Sequence, residues 1–472
     1  MDNNFYITTT LPYVNAEPHI GFGLEIVETD VIARYQRQLG KNVIFNTGTD
    51  EHGQKIYQKA VESGLEPQTY CDQYATKFKE LKTLLNLNFT HFIRTTNKDH
   101  QKAAQSFWLR ARDAGDIYKA KYQVKYCIGC ELEKTESELV DGHCPIHPQL
   151  ELEVRDEENY FFKFSKYQQQ LLDFFQGHPE FVKPASKMNE AIAFVKNGLN
   201  DFSISRLKSK MPWGVAVPDD PDHVMYVWFD ALVNYVSTLG WPDNNTEFEQ
   251  FWPGVQVAGK DNLRQQAVMW QAMLLSAGLP LSKKVLINGF ISIDGQKMSK
   301  SLGNVISPEQ MVDKYGKDAT RMLLISLGTF ADDMDVSWSR LDELYTAHLA
   351  NGLGNLCSRV AKMADNENLV LKEETKNHLT TKQYHQLMDE YELTKALELI
   401  LDLITQTDLY LSENEPWKKS GEEKLEILNE AIRKIRMIGL LLAPFMPTVS
   451  KMILNHFQGE IIALAPIFPR LS

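Results

Sequence analysis

Two short segments of the chain carry residue types suited to phosphate chemistry. Pro18-His19-Ile20-Gly21-Phe22 precedes an apolar helical pattern, and a histidine beside free backbone N–H groups at a helix start can help to bind phosphate. Lys297-Met298-Ser299-Lys300-Ser301 follows an apolar strand pattern, and its lysines and hydroxyls can hold a polyphosphate. Taken alone, each segment is more simply interpreted as a structural turn or a solvated loop. Their presence in one chain favours a site for a phosphorylated ligand.

A third set of residues has the spacing of a metal site. Cys127-x2-Cys130 and Cys144-x2-His147 are separated by thirteen residues, and such paired hooks are typical of structural zinc. Four protein ligands leave no open coordination position, so the predicted role of the zinc is structural. The alternative is a group of reduced thiols without metal, which a reducing compartment allows.

The elements around the first segment predict where a ligand would bind. Residues 5–10 are β-branched and aromatic, residues 20–39 are apolar at helical spacing, and residues 43–45 form another apolar run. This order of strand, helix and strand is a βαβ unit. Its ligand site is expected at the carboxyl ends of the strands and at the helix N-terminus.

The whole chain predicts an α/β fold whose main sheet comes from two separated parts. Residues 255–259, 262–277 and 285–287 form a second set of strand, helix and strand, which predicts a Rossmann-like doubly wound parallel sheet. A zinc-knuckle insertion splits this sheet, and beyond residue 340 only helical patterns occur, which predicts a C-terminal all-α bundle. The predicted domains are 1–114 (first Rossmann half), 115–225 (connective insertion, with the zinc knuckle at about 120–160), 226–340 (second Rossmann half with the Lys297–Ser301 loop) and 341–472 (helical domain).

Charge and hydropathy limit the possible partners and locations. The net charge of the 472 residues is −12, which is unusual for a nucleic-acid-binding protein. The excess is local, because residues 131–158 hold ten acidic and two basic side chains, so an anionic partner elsewhere is compatible with the composition. Residues 1–4 do not resemble a signal peptide, and no apolar run reaches the length of a membrane span. These features predict a cytoplasmic protein with no membrane partner.

The two phosphate-type segments resemble, in order, the HIGH and KMSKS motifs of class I aminoacyl-tRNA synthetases. The surrounding sequence is similar to the methionyl-tRNA synthetase family, in that family's order and over nearly the whole chain. The segments that carry this similarity are Thr10-Leu11-Pro12-Tyr13-Val14-Asn15, Gly48-Thr49-Asp50-Glu51-His52-Gly53, Tyr226-Val227-Trp228-Phe229-Asp230-Ala231, Gly259-Lys260-Asp261 and Asn351-Gly352-Leu353-Gly354-Asn355.

The resemblance implies a reaction in two steps. Methionine would be activated with Mg²⁺-ATP to methionyl adenylate, and the methionyl group would then pass to tRNA(Met). Because the substrate carboxylate attacks the α-phosphate, catalysis would consist mainly of positioning and charge stabilisation. By resemblance, the catalytic residues are His19, Gly21, Lys297, Ser299 and Lys300, and the ATP-binding residues are His19, Gly21, Gly259, Asp261, Lys297, Met298 and Lys300.

The resemblance also implies a methionine site. The backbone of Leu11 and the carboxylate of Asp50 would hold the amino group of the substrate. Tyr13, Trp228, Ala231 and Tyr235 would shape the thioether pocket, which suits a polarizable sulfur. The last three lie at i, i+3 and i+7, on one face if that segment is helical. Without the flanking motifs, an ordinary core stripe would be the simpler interpretation.

Two further sites follow from the resemblance. Many methionyl-tRNA synthetases have a zinc knuckle in this insertion, which supports structural zinc at the Cys and His residues. Asn355 and Arg359, four residues apart on one helix, and Trp417 would read the CAU anticodon, which makes residues 341–472 an anticodon-binding domain. Without the resemblance, Trp417 is more simply a core or turn residue.

The sequence departs from the family pattern at two places. Phe22 stands where the HIGH motif usually has a second histidine, so another donor, from Asn15 or Lys260, would have to replace it. Gln265 and Gln266 stand where the family usually has an aromatic–histidine pair, and a glutamine can replace a polar contact of the methionine pocket but not an aromatic one.

Three expectations concern the alternatives and the assembly. The insertion is too small for the editing domain of a synthetase for leucine, isoleucine or valine. A non-catalytic tRNA-binding paralogue remains the alternative, although the intact Lys297–Ser301 segment and Asp50 argue against it. The chain shows no further domain after the helices of the kind that some members use to dimerise, so a monomer is expected.

Overall fold

The computed structural model describes residues 3–129, 132–134, 139–298, 303–330, 333–371 and 382–471. The strands are β1 Asn4–Thr8, β2 Asn42–Thr49, β3 His91–Arg94, β4 Ile117–Cys127, β5 Leu132–Lys134, β6 Glu153–Phe162, β7 Val182–Lys183, β8 Phe202–Ser203, β9 Ser205–Leu207, β10 Ala216–Val217, β11 Asp220–Met225, β12 Val255–Gly259, β13 Lys284–Asn288, β14 Ile291–Ile293, β15 Gln296–Lys297, β16 Met334–Val336, β17 Val370–Leu371 and β18 Gly459–Glu460.

The α-helices alternate with these strands in the first part of the chain and dominate the last part. They are α1 Ile20–Gln38, α2 Gln54–Glu62, α3 Pro67–Leu84, α4 Lys98–Asp113, α5 Gln168–Gly177, α6 Ala185–Lys196, α7 Val227–Ala231, α8 Asn234–Ser237, α9 Thr246–Phe251, α10 Trp270–Ser276, α11 Pro308–Tyr315, α12 Lys317–Ser326, α13 Trp338–Leu344, α14 Asn355–Asn366, α15 Lys382–Asp389, α16 Leu393–Asn414, α17 Gly421–Leu442 and α18 Pro447–His456. Short 3₁₀ turns cover Phe164–Tyr167, Lys260–Asn262 and Pro416–Lys418, and π-helical turns cover Gln265–Met269 and Tyr345–Gly354.

The main sheet has the strand order β3-β2-β1-β12-β13-β7. The recorded pairs β2–β3, β1–β12 and β13–β7 are parallel, and long buried runs in β1, β12 and β13 show that both faces are covered. These features confirm the Rossmann-like sheet. The order in which successive strands are added to the sheet reverses between β1 and β12. Sheets of this kind bind their ligands at such a reversal point. The two-residue strand β7, from within 115–225, extends this sheet.

The described residues group into two compact units. The first contains Met1–Glu17, Val43–Glu80 and Phe89–Ile287, and the second contains Pro18–Asn42, Leu81–Asn88 and Asn288–Ser472.

An aromatic cluster stabilises the first unit. Phe107 stacks on Trp270 with ring centroids 5.6 Å apart, and Trp108 meets Phe229 edge-on at 5.6 Å. Such pairs add about 1 kcal/mol each beyond the burial of their area. The same unit contains a four-stranded antiparallel sheet, β5-β4-β6-β8, whose ladder runs from Ile117 opposite Phe162 to Tyr126 opposite Glu153.

A buried arginine ties together the second unit. The Arg321 guanidinium pairs with Asp30 of α1 at 2.8 Å and donates to the carbonyls of Leu85, Pro444 and Phe445. Burial lowers the pKa of Arg321, and Asp30 opposes that shift. One side chain thus holds α1, α12, the turn after α3 and the turn between α17 and α18 together.

The helical C-terminal region is confirmed, with one correction to the all-α prediction. Val370–Leu371 pairs with Gly459–Glu460 as a short antiparallel ladder, and two residues are too few to show strand alternation in a sequence. The helical patterns predicted at 262–277 and directly after residue 340 are also interrupted by π-helical turns, which share the apolar spacing of an α-helix over so short a length. Across the described part of the chain, no helix has both the length and the apolar character needed to span a membrane.

Candidate active site

A small pocket of the first unit lies at the carboxyl ends of β1, β2 and β12. Six residues predicted for methionine line it, namely Leu11, Asp50, Trp228, Ala231, Tyr235 and Gln266. Four further residues line the pocket without having been predicted for it, namely Thr10, Leu232, Asn234 and Asn262. Thr10 belongs to a quoted motif and each of the other three adjoins a predicted residue, so proximity in the chain is the signal that could have found them.

The backbone around Asp50 is fixed by the loop that follows β1. Asp50 N donates to Pro12 O at 3.0 Å, and Val14 N donates to Asp50 O at 3.2 Å. Tyr13 forms an isolated parallel bridge with Asp50. Tyr13 is not among the residues that line the pocket. Its backbone pairs with that of Asp50, which does line the pocket.

The residue after Asp50 is anchored by charge. The Glu51 carboxylate is fully buried and receives two hydrogen bonds from Arg94, at 2.6 and 2.9 Å. Burial lowers the pKa of Arg94, but Glu51 and Asp72 together outweigh burial and the net shift is upward. The indole of Trp213 donates to Glu51 O at 2.6 Å. The main chain beside Asp50 is therefore rigidly placed.

Two histidines hold a buried carboxylate of α7, the helix that carries Trp228 and Ala231 of the pocket. Asp230 contacts His52 Nδ1 at 2.6 Å and His100 Nε2 at 2.8 Å, and His100 Nδ1 lies 2.9 Å from Ser237 Oγ. Burial raises the pKa of Asp230, but the two histidines outweigh it and bring the pKa to about 2. Asp230 lies in α7 between Trp228 and Ala231, so this network ties the pocket wall to the segment that carries Asp50.

The two glutamines that depart from the family pattern occupy different places. Both begin the π-helical turn Gln265–Met269 and are buried. Gln266 lines the pocket, and Gln256 Nε2 donates to Gln266 Oε1 at 2.8 Å. Gln265 is not among the lining residues. Of the predicted pair, the structure brings only Gln266 to the pocket.

The predicted ATP-binding residues of the first unit follow β12 directly. Gly259 ends the strand, and a Cβ there would lie 2.8 Å from Asp261 Oδ1, so a side chain at residue 259 would displace this carboxylate. Asp261 is exposed and accepts a hydrogen bond from Asn262 Nδ2 at 3.3 Å. Asn262 in turn lines the pocket.

His19 caps the helix α1 in the second unit. Its Nδ1 accepts a hydrogen bond from Gly21 N at 3.0 Å, so in the neutral ring the proton is on Nε2, which can donate. A Cβ on Gly21 would lie 2.8 Å from His19 Cε1. The ring can therefore fold over this turn only because residue 21 has no side chain.

The predicted loop begins close to this turn in the same unit. A Cβ on Gly21 would also lie 3.8 Å from Met298 Cε, and Ile20 N donates to Ile306 O at 3.0 Å. Lys297 lies in β15, which pairs with β14. Ser299 and Lys300 lie outside the described residues.

A buried carboxylic acid joins α1 to the end of β13 in this unit. Glu28 is fully buried and accepts a hydrogen bond from Asn288 Nδ2, and Asn288 Oδ1 accepts one from Phe330 N at 2.9 Å. Burial raises the pKa of Glu28 well above its ordinary value. No spacing or motif in the sequence indicates this contact.

Comparison with known proteins identifies the family. The model of "tRNA synthetases class I (M)" matches residues 5–151 and 133–361, and the model of "Anticodon-binding domain of tRNA ligase" matches residues 374–472. The methionine–tRNA ligase of Thermotoga maritima is 40% identical over 97% of this chain and 75% of its own length. That of Thermosynechococcus vestitus is 41% identical over 100% and 93%. The chain belongs to the methionine–tRNA ligase family of class I synthetases.

The fold also matches that of a solved structure from the same family. Mycobacterium tuberculosis methionyl-tRNA synthetase in complex with methionyl-adenylate matches with a TM-score of 0.93 at 33% identity, over 99% of this chain and 100% of that chain. The family that the motifs predicted is thereby confirmed.

The predicted metal ligands of this family member form a cluster where they are described. One ligand atom each of Cys127, Cys144 and His147 lies within 4.8 Å of the others, and Cys127 Sγ is 3.8 Å from His147 Nδ1. Zinc bonds at a tetrahedral angle would separate sulfur and nitrogen by about 3.5 Å, so the donor set fits zinc. A Cβ on Gly129 would lie 2.6 Å from His147 Cγ. Cys130 lies outside the described residues.

The predicted anticodon residues lie on two parts of the second unit, the helix α14 and the turn Pro416–Lys418. Asn355 is exposed at the start of α14, and Arg359 one turn later pairs with Asp408 of α16 at 2.7 Å. Trp417 is 49% exposed on the turn Pro416–Lys418. An indole so exposed is available for stacking.

Proposed function

We propose that the chain catalyses ATP-dependent activation of L-methionine to methionyl adenylate and transfers the methionyl group to tRNA(Met). The observation that carries this proposal is the pocket at the reversal point of the sheet, in a chain of this family. A carboxylate, an indole and a phenol line it, which matches the ammonium and thioether of methionine. Asp50 would pair with the ammonium, and Trp228, Ala231 and Tyr235 would enclose the thioether.

The first step needs no protein nucleophile. A methionine carboxylate oxygen bonds to the α-phosphorus of Mg²⁺-ATP, and pyrophosphate leaves with the electron pair of the broken P–O bond. His19 would donate from Nε2 to a phosphate oxygen, because its Nδ1 is already an acceptor for Gly21 N. Lys297, Ser299 and Lys300 would neutralise the developing charge, and Gly21, Gly259, Asp261 and Met298 would shape the nucleotide site. In the second step a ribose hydroxyl of the tRNA attacks the adenylate carbonyl and AMP leaves.

Zinc at Cys127, Cys130, Cys144 and His147 would be structural. The cluster of two buried thiols and an imidazole supports this assignment. When bound, the metal would cross-link the end of β4 to the segment between β5 and β6 that carries Cys144 and His147. The zinc would take no part in the reaction, which would depend on the side chains of the active site.

The tRNA would be read by Asn355, Arg359 and Trp417 of the helical region. An amide, a guanidinium and an exposed indole can bond to and stack on unpaired bases. A monomeric state and a cytoplasmic location stay predictions from the sequence.

Methionine-dependent exchange of pyrophosphate into ATP tests the proposal. We expect exchange with methionine and little with leucine, isoleucine, valine or homocysteine. Asp50→Asn should raise the methionine KM at least tenfold with little effect on the ATP KM, because only the ammonium contact is weakened. Absence of exchange together with retained tRNA binding would favour the non-catalytic paralogue instead. Preference for another amino acid would overturn the substrate.

A further inference from the structure

Gln266 places a buried amide in the wall of the methionine pocket. The side chain is 1% exposed and lines the pocket. It belongs to the π-helical turn Gln265–Met269, and such a turn displaces backbone carbonyls from the regular ladder. Gln271 Nε2 donates to the Gln266 carbonyl at 2.8 Å, so the turn that presents this amide is held in place.

Gln256 fixes which end of the Gln266 amide faces the pocket. Gln256 lies in β12, is 1% exposed, and donates from Nε2 to Gln266 Oε1 at 2.8 Å. With its oxygen occupied, Gln266 has its Nε2–H₂ group to offer. Among the described residues, no acceptor is recorded for that group.

When a ligand fills the pocket, a donor left there without an acceptor is costly, and a ligand that supplies an acceptor gains affinity. The thioether sulfur of methionine is a weak acceptor. Norleucine has the same shape with a methylene in place of the sulfur, so it fills the pocket but leaves the donor unsatisfied. Sites that hydrogen-bond a substrate atom discriminate strongly against analogues that lack it.

We propose that Gln266, oriented by Gln256, is a specificity-determining residue that donates a hydrogen bond toward the sulfur position of the substrate side chain. Gln256 acts through Gln266 and is a positioning residue. The inference rests on the proposed function, since it assigns the sulfur contact within that same pocket.

The test compares methionine with norleucine in pyrophosphate exchange by the full chain. Wild type should favour methionine in kcat/KM. Gln266→Leu keeps the volume but removes the donor, so the ratio of the two kcat/KM values should fall about tenfold. Gln256→Leu, whose side chain is not among those lining the pocket, should lower the ratio a few-fold in the same direction.

Gln265→Leu is the matched control. It also replaces a buried glutamine of the same π-helical turn, but Gln265 is not among the residues that line the pocket, so the ratio should stay at the wild-type value. Equilibrium binding of both amino acids without ATP gives a second measurement of the ratio, which does not require catalytic turnover.

The outcomes separate the inference from the function. Normal methionine exchange with a ratio unchanged within twofold in both Gln266→Leu and Gln256→Leu overturns the inference alone. A wild-type chain that shows no methionine-dependent exchange overturns the proposed function and this inference with it. An equal fall of the ratio in all three variants would mean that any disturbance of the turn lowers the ratio. This result would also overturn the inference.

Discussion

Gly21 is the residue whose smallest substitution should disturb the His19 turn. A methyl group there would lie 2.8 Å from His19 Cε1, so Gly21→Ala must displace the ring and its Nε2 donor. We expect kcat of pyrophosphate exchange to fall about tenfold or more, because misplacement by about 1 Å can cost 100-fold. Gly177→Ala, where an added Cβ meets nothing within 4 Å, is the matched control. Wild-type exchange in Gly21→Ala would contradict the role of this turn.

Asp230 is a second residue whose effect on the pocket can be measured. Asp230→Asn keeps the shape but removes the charge that two histidines share at 2.6 and 2.8 Å. Breaking a buried charged contact costs about 3 kcal/mol, so we expect a lower Tm and a methionine KM that rises several-fold, because α7 carries Trp228 and Ala231. An unchanged KM would show that the network does not support the pocket.

The pH dependence of this network follows from the sign of the shift. The pKa of Asp230 falls from 3.8 to about 2 on folding, so its stabilising contribution is complete above about pH 4 and disappears as the pH falls toward 2. Acid unfolding followed by circular dichroism should therefore separate wild type from Asp230→Asn above pH 4 and bring them together near pH 2. A difference that persists at pH 2 would have another cause.

At the scale of residues, motifs identify what faces the ligand but not what supports it. Leu11, Asp50 and Trp228 stand in recognisable segments and line the pocket. Gln256 and His100 are brought there only by tertiary structure, from β12 and α4. A lone glutamine in a strand and a lone histidine in a helix have no spacing that indicates such contacts.

At the scale of elements, Glu28 links α1 to Asn288 in the second unit. Burial raises its pKa well above the ordinary value, so the folded chain holds a proton that the unfolded chain releases as the pH rises above about 4.3. The contribution of Glu28 to stability is thus fully present below that pH and is lost as the pH rises.

Glu28→Gln should remove the loss of stability that Glu28 causes as the pH rises, because a neutral amide does not ionise and can still accept the hydrogen bond from Asn288. We expect the Tm of Glu28→Gln relative to wild type to increase between pH 5 and pH 8. Glu28→Ala is the companion variant, and it should lower the Tm at both values because it loses the bond and leaves a cavity. A Tm difference between Glu28→Gln and wild type that is the same at both pH values would contradict this explanation.

The zinc cluster should stabilise the sheet that contains β4. Cys127 ends β4, and Cys144 and His147 lie in the turn between β5 and β6. We expect about one zinc per purified chain, and we expect either chelation or Cys127→Ser to lower the Tm, because metal binding contributes directly to folding. Cys71→Ser, outside the cluster, should retain zinc. Equal metal content in the Cys127 variant and wild type would exclude the site.

Elements with long patterns were predictable and very short ones were not. The apolar runs of β1, β2, β12 and β13 indicated the parallel sheet, and the spacing in residues 20–39 indicated α1. Strands of two residues, such as β7, β17 and β18, depend on their partners and leave no pattern. The π-helical turn at Gln265–Met269, which positions Gln266, shares its apolar spacing with an α-helix.

At the scale of the whole molecule, the net charge of −12 affects how the chain binds RNA. Ten of its acidic residues are concentrated at 131–158, within the proposed insertion. A surface of this charge gives little non-specific attraction for phosphates. Affinity for tRNA should then depend on specific contacts, among which the exposed indole of Trp417 is the largest apolar one in the predicted anticodon set.

Trp417→Ala should therefore separate the two activities of the enzyme. Pyrophosphate exchange needs no tRNA, so it should remain at the wild-type level. Aminoacylation should lose about tenfold in kcat/KM for tRNA(Met), because stacking on one base contributes about 1–3 kcal/mol. Leu409→Ala, which replaces another exposed apolar side chain, 55% accessible on α16, is the control and should affect neither activity. If Trp417→Ala lowered both activities equally, the indole would be a structural residue, and recognition would have to rest on Asn355 and Arg359.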